Sequence, residues 1–365
     1  MPEADAAVPE ADAWPGPLAW LDAIPAEQAV GMCGAKMGRL TELLRSGVSL
    51  PQGFTVTVEA YRQHCDRSGL DPVIDAALGG LGADAGPGEI ETAALAVRAE
   101  LAARPMDPDL AGLIVDAYEE LSSRCFDINV PTAVRSSAIG EDSGTASFAG
   151  IFETYLGASG PDRVLAAVRD CWASLFSPRA VAYRLRAGLR HQDMPMAVGV
   201  VELIHARASG VAFSAHPVTG KTDRVVIETN WGWGEAVVQG LVTPDHIEVG
   251  KADGRVLRYQ VAAKKVVSSF DYAAGRVVET AMPARLVDRR VLDEEQIAAV
   301  VGTVLAVERH YGYPVDVEWV LDKYRRAGEP VCVVQARPVT ASQPEAALPT
   351  TWNPAAMAAK HVFGR

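Results

Sequence analysis

Two segments near the C-terminal end, PVDVEWVLD (314–322) and VCVVQAR (331–337), alternate with the period of a β-strand, and only the polar stretch KYRRAGEP separates them. Strands joined by so short a connection pair antiparallel, so the chain is committed to a sheet containing this hairpin. Closed symmetrically about its turn, the hairpin sets Glu318 opposite Gln335 and Asp316 opposite Arg337. Residues two apart share a face, so one face carries two carboxylates, an amide and a guanidinium. The flanking Val315, Val317, Val320, Val333 and Val334 are apolar. A slip of one residue would turn one strand's set to the other face. Carboxylates in such a setting suit Mg²⁺, which takes oxygen ligands and bridges to nucleotide phosphates. The guanidinium suits the phosphates themselves. A cross-strand ion pair on a solvated face is the plainer alternative.

Upstream, VPTAVRSS reads as a strand ending in Arg135, followed by the small-residue stretch AIGEDSGTASFAG (138–150). Gly and Ser let several backbone N–H groups approach phosphate oxygens, and Arg135 adds a fixed planar cation. The first third is helical in pattern. Residues 31–46 open on the glycine turn GMCG and continue with Met37, Leu40 and Leu44 at helical spacing. Residues 71–125 read as helices joined by the Gly/Pro stretch 79–89. Strands are expected at 54–58, 196–204, 210–215, 224–230 and 246–250, and helices over 161–190 and 294–312. The fold class is α+β, with a strand-rich second half.

Other segments carry less. AHPVTGKT (215–222) fits a loose P-loop pattern, but strand-like residues follow it where a helix N-terminus is required. TNWGWGEAVVQGLVTPD (229–245) reads as a tight turn with aromatic packing, and His216, His246 and His310 as structural. The five cysteines are scattered and never spaced CxxC, against both a disulfide framework and a structural zinc site. A net charge of −12 without a basic stripe argues against a nucleic-acid binder. No apolar run is long enough to span a bilayer. The acidic, Ala/Pro-rich start lacks the charge and apolar core of a signal peptide, so residues 1–16 are expected to be a loose leader of a cytoplasmic protein.

Taken together, VGMCGAKMGRL with SLPQGFTVT, VRSSAIGEDSGTASFAGIFETYLG, LFSPRAVAYR, MAVGVVELIHARASGVAFSAHPVTG, IETNWGWGEAVVQGLVTPD, and YGYPVDVEWVLD with VVQARPVT resemble, in order, the N-terminal nucleotide-binding region of the phosphoenolpyruvate synthase and pyruvate phosphate dikinase family. The resemblance covers about residues 28 to 342. It implies an ATP-grasp fold with nucleotide held between two lobes. Residues 17–195 would form the first lobe, with a helical insertion, and 196–342 the second; 343–365 would be a tail. It implies ATP and Mg²⁺ as ligands. Arg135 would stand at the phosphates together with Gly140, Gly144 and Thr145 of the small-residue loop. Glu202, Glu228, Glu318, Gln335 and Arg337 would contact nucleotide, with Asp316, Glu318 and Gln335 at the metal and Arg179 or Arg184 as a further phosphate contact.

Larger family members carry a swivelling domain with a phosphorylatable histidine after a Gly-Gly, and no such motif occurs here. The organisation resembles the family's split enzymes, such as phenylphosphate synthase, in which the ATP-binding part is a separate subunit. The implied chemistry is cleavage of ATP to AMP and phosphate, with one phosphoryl group passing to a histidine on a partner subunit. The final acceptor stays open between a phenol and the substrate of a phosphoenolpyruvate synthase-like or antibiotic-phosphorylating enzyme, and a non-catalytic nucleotide sensor is the alternative of another class. One departure stands out. The family's glycine-glycine-lysine reads Gly31-Met32-Cys33, and Lys36 lies three residues on, close to one helical turn away. Lys36 is therefore expected to supply the cation that Cys33 cannot; the plainer alternative is a solvated Lys36, with the arginines sufficing.

Overall fold

The computed structural model describes residues 16–139, 152–234, 242–271 and 276–339. The chain divides into two compact units, one made of Met1–Thr41 and Gln52–Glu202, the other of Glu42–Pro51 and Leu203–Arg365. Gly140, Gly144, Thr145, the leader and the tail lie outside the described residues.

The first unit is built on an antiparallel sheet ordered β1 (Leu18–Trp20), β2 (Gly53–Val56), β5 (Met196–Glu202), β3 (Thr132–Ala138), β4 (Thr154–Ala158). Around it run α1 (Ala26–Arg45), α2 (Val58–Arg67), α3 (Asp71–Leu78), α4 (Pro87–Ala103), α5 (Pro108–Arg124), α6 (Pro161–Ser174) and α7 (Pro178–Ala187). The apolar run MAVGVV explains why β5 is central: it pairs with β2 on one edge and β3 on the other and is buried almost throughout. The expected lobe boundary after residue 195 is corrected accordingly, because β5 completes the first sheet and the division falls after Glu202. The core joins the sheet to the helices. Trp172 of α6 is fully buried, stacks on His64 of α2 at 5.0 Å and donates its indole N–H to Met196 O at 3.2 Å.

The second unit carries a six-stranded antiparallel sheet, β13 (Cys332–Pro338), β12 (Val315–Asp322), β6 (Ala206–Phe213), β7 (Arg224–Trp231), β8 (Asp245–Gly250), β9 (Val256–Gln260). A separate hairpin pairs β10 (Val266–Asp271) with β11 (Arg276–Ala281). Helix α8 (Ala284–Val287) is short; α9 (Glu294–Tyr311) packs on β12 and β6 and buries Ile297, Val300, Val304 and Val307. A capping box of Asp293 and Gln296 starts α9, and left-handed Gly312 ends it. Residues of the 42–51 segment belong here as well: Ser49 O accepts the Val333 N–H at 2.8 Å.

The segment once matched to a P-loop is a turn between β6 and β7. His216 Nδ1 accepts the N–H groups of Val218 and Thr219 at 3.2 and 3.3 Å, and Gly220 turns left-handed at φ 69°. No phosphate cradle at a helix N-terminus exists there.

Candidate functional site

The hairpin closes in the register that its turn dictates. Asp316 faces Arg337 and Glu318 faces Gln335, and a bulge interrupts the pairing only beyond Glu318. Across the sheet the same two rows continue. Glu318 is opposite Val211 of β6, Val211 opposite Glu228 of β7, and Glu228 opposite His246 of β8. In the adjacent row Asp316 meets Phe213, Phe213 meets Val226, and Val226 meets Glu248. Directly opposed residues share a face, so one face of this sheet holds two polar groups flanking a half-buried strip of Val211 and Phe213.

The first group is the hairpin set. Arg337 Nε donates to Asp316 Oδ2 at 2.7 Å. That bond fixes the guanidinium and occupies half of the Asp316 carboxylate, while Asp316 Oδ1 is buried with no protein partner. Glu318 is half-buried beside it and Gln335 nearly buried. Among the described residues no three His, Cys, Asp or Glu side chains converge as a metal cage. One or two carboxylates, an amide oxygen and an orphaned carboxylate oxygen are what Mg²⁺ needs when nucleotide phosphates supply the remaining ligands, so the donor set fits Mg²⁺ carried in with a nucleotide. Asp316 was expected at the metal; the structure gives it first the task of orienting Arg337.

Along β12 the same face turns apolar. Val320 packs with Ile204 and Cys332, and Ala206 and Val334 close around them. The polar hairpin set thus adjoins a packed apolar cluster along the same face.

The second group was not anticipated as a unit. His246 Nδ1 lies 2.6 Å from Glu228 Oε1 and its Nε2 3.3 Å from Glu248 Oε1. Arg224 Nη1 donates to Glu248 Oε2 at 2.9 Å, and Arg258 stands 3.8 Å from the same carboxylate. A neutral imidazole has only one N–H, so serving both carboxylates requires the charged ring. Burial alone would lower the affinity of His246 for its proton, but Glu228 and Glu248 outweigh it and raise its pKa. Burial raises that of Glu228. For Glu248, burial is opposed by Arg224 and His246, which together hold it below the usual carboxylate range. The signal was present in the sequence as Glu228 in RVVIETN and His246 and Glu248 in HIEVG, but it needs the β7–β8 register to be seen.

In the first unit, Arg135 lies half-buried on β3, and α1 meets that strand at Ser137. Helix α1 breaks at Gly34 (φ 71°, ψ 173°), where a Cβ would sit 2.1 Å from Ser137 O. Only glycine allows that approach. Helix resumes after the break, and the Met37 N–H is capped by Ser137 Oγ at 3.1 Å. Cys33, just before the break, is fully buried, and burial pushes its thiol up to about 12, so it carries no charge. Lys36, just after it, is half-buried, and its charge partly opposes the burial that pushes the Cys171 thiol of α6 up. Arg179 is exposed on the first turn of α7. Arg184 is a correction: it is buried in the core, 5.5 Å from the Phe176 ring and beside Tyr61, where it faces no solvent-borne phosphate. Glu202 ends β5, half-buried, and after burial it is the next cause that raises the pKa of the Cys125 thiol.

Comparison with known proteins places these elements. The family model described as pyruvate phosphate dikinase, AMP/ATP-binding domain, matches residues 30–354. A probable phosphoenolpyruvate synthase of Methanothermobacter thermautotrophicus is 38% identical over 85% of this chain and 44% of its own length. The phosphoenolpyruvate synthases of Aeropyrum pernix and Pyrococcus furiosus are 35% and 32% identical, over 88% and 90% of this chain and 42% and 44% of their own. The chain spans under half the length of these curated relatives. Among solved structures, an L-amino acid ligase from Bacillus licheniformis aligns over 74% of this chain and 55% of its own at 13% identity, with a TM-score of only 0.24. Among the described residues no helix is long and apolar enough to cross a membrane. With its matched span running from before the Gly34 break to beyond the β12–β13 hairpin, the chain belongs to the pyruvate phosphate dikinase AMP/ATP-binding domain family.

Proposed function

We propose that this chain binds Mg-ATP in an ATP-grasp manner and passes a phosphoryl group to a histidine on a separate partner subunit. The observation that carries the reading is the hairpin register, which sets Asp316, Glu318, Gln335 and Arg337 on one sheet face. Mg²⁺ held there by Glu318 and Gln335 would offset phosphate charge. Arg337, oriented by Asp316, supplies a fixed cation for the charge that grows on the phosphoryl oxygens. Catalysis is positioning and charge stabilisation, and no side chain of this chain becomes covalently modified. ATP and water yield AMP and phosphate, and the second phosphoryl group ends on the partner's imidazole. The partner then hands it to a phenol or similar small acceptor. The names of the relatives favour a second version, in which the acceptor is that of a phosphoenolpyruvate synthase. ATP labelled at its β-phosphate separates the reading from its rivals. With the partner present, label should appear on the partner in acid-labile form, alongside AMP. Efficient phosphorylation of a small acceptor by this chain alone would refute the split arrangement.

Lys36 is proposed to replace the cation missing at Cys33. Lys36→Ala should weaken ATP binding about tenfold, the scale of one hydrogen bond to a charged group, and adding Cys33→Lys should restore part of it. Unchanged affinity and unchanged partner phosphorylation in Lys36→Ala would leave Lys36 a surface residue.

A further inference from the structure

The WGWG stretch at the end of β7 has two tryptophans, and each ties down a backbone carbonyl. Trp231 Nε1 donates to Leu286 O at 3.3 Å, and Trp233 Nε1 donates to Ile204 O at 2.8 Å. Trp231 is part of β7. Trp233 lies beyond it, half-buried, on a short loop whose course is fixed at several points. Gly232 is left-handed at φ 75°, and a Cβ there would sit 2.2 Å from Ser268 O. Its N–H donates to Arg207 O at 3.1 Å, and its carbonyl accepts Ser209 Oγ at 2.6 Å. The Trp233 N–H reaches Ser268 O at 3.3 Å. A Cβ on Gly234 would come to 3.3 Å from Ser209 Oγ. The loop therefore lies over Ser209.

Ser209 stands opposite Val320. Val320 is two residues from Glu318, on the same face, and packs against Ile204, the residue whose carbonyl holds the Trp233 indole. Trp233 thus borders the apolar end of the face whose polar end is the Glu318, Gln335, Asp316 and Arg337 set. An indole with its N–H bonded has a fixed plane, and ordering it in advance removes an entropic cost from binding. A fixed aromatic plane at the edge of an apolar floor, next to a metal-and-phosphate cluster, matches the two halves of a nucleoside triphosphate.

We propose that Trp233 contacts the base of the bound nucleotide, its tethered indole forming one wall of the base site. This rests on the ATP-binding reading above and adds to it a specificity-determining residue. Mg-dependent binding of ATP and of inorganic tripolyphosphate, which has no base, distinguishes the two. Trp233→Leu keeps apolar bulk and removes both the aromatic face and the donor. It should weaken ATP roughly 5- to 100-fold, the range found for loss of one base–aromatic stack, and leave tripolyphosphate affinity unchanged. Trp233→Phe keeps a ring without the tether and should fall between Trp233→Leu and wild type; it also serves if the leucine variant folds poorly. Wild-type ATP affinity in Trp233→Leu would overturn the proposal. So would equal losses for ATP and tripolyphosphate, which would make Trp233 a support of the loop only. A wild-type chain that binds neither compound overturns the nucleotide reading itself, and this inference with it.

Discussion

Replacing Glu318 or Arg337 by alanine should reduce ATP-dependent phosphorylation of the partner by on the order of 10²–10³, the usual cost of removing one preorganised group that meets transition-state charge. The two variants should differ in stability. Glu318 is only half-buried, so its truncation opens little buried space. Arg337 is the counter-ion of Asp316, whose other oxygen is already without a partner. Arg337→Ala therefore leaves an uncompensated carboxylate in the sheet, and its thermal midpoint should fall while that of Glu318→Ala stays near wild type. Adding Asp316→Asn to Arg337→Ala should recover stability without recovering rate. Partner phosphorylation at saturating Mg²⁺, read beside thermal unfolding, gives both quantities. Wild-type rates in either alanine variant would make the hairpin face merely structural.

Lys264→Met should cost about 3–5 kcal/mol of stability, the scale for removing one partner of a fully buried ion pair. Lys264 and Asp245 are both completely inaccessible, with Nζ 2.6 Å from Asp245 Oδ1. Asp245 also accepts the Ala262 N–H at 2.9 Å, the Val291 N–H at 3.0 Å and the Tyr259 hydroxyl at 3.1 Å. One carboxylate thus gathers β8, β9 and the segment leading to α9. Its neighbour His246 braces Glu228 and Glu248, so loosening Asp245 should also weaken nucleotide binding. Chemical denaturation measures the first effect, and the double variant Asp245→Asn with Lys264→Met should regain part of the loss. A change under about 1 kcal/mol in Lys264→Met would show that water or rearrangement satisfies Asp245 equally well.

The parts of this molecule that sequence reveals are those whose pattern and partners are local. The β12–β13 register follows from one short turn and from period-two alternation, so Asp316, Glu318, Gln335 and Arg337 could be matched in advance. Helix α9 announces itself through its cap and stripe. Strand β9 could not be seen, because VLRYQ is largely exposed and shows no apolar alternation. The β10–β11 pair was missed as a two-stranded ribbon of mixed composition. Helix α1 was expected to follow a glycine turn at GMCG; it begins earlier, at Ala26, and breaks at Gly34, where the backbone lies against Ser137, far away in sequence. The same distance rule explains the site. Arg184 looked like a phosphate ligand until α7 buried it against Phe176. Trp233 reads as turn packing, and what the sequence could not show is that its N–H anchors the turn to Ile204 O. The Glu228–His246–Glu248 brace exists only once β7 and β8 are paired.

Calorimetric titration of the chain with ATP, with and without Mg²⁺, in wild type and in Glu318→Ala, puts the nucleotide reading to the most direct test. Saturable binding at one site per chain is expected in the wild type, strengthened by Mg²⁺, with that strengthening lost in Glu318→Ala. Absence of saturable binding with Mg²⁺ present would contradict it, as would an affinity indifferent to both Mg²⁺ and Glu318.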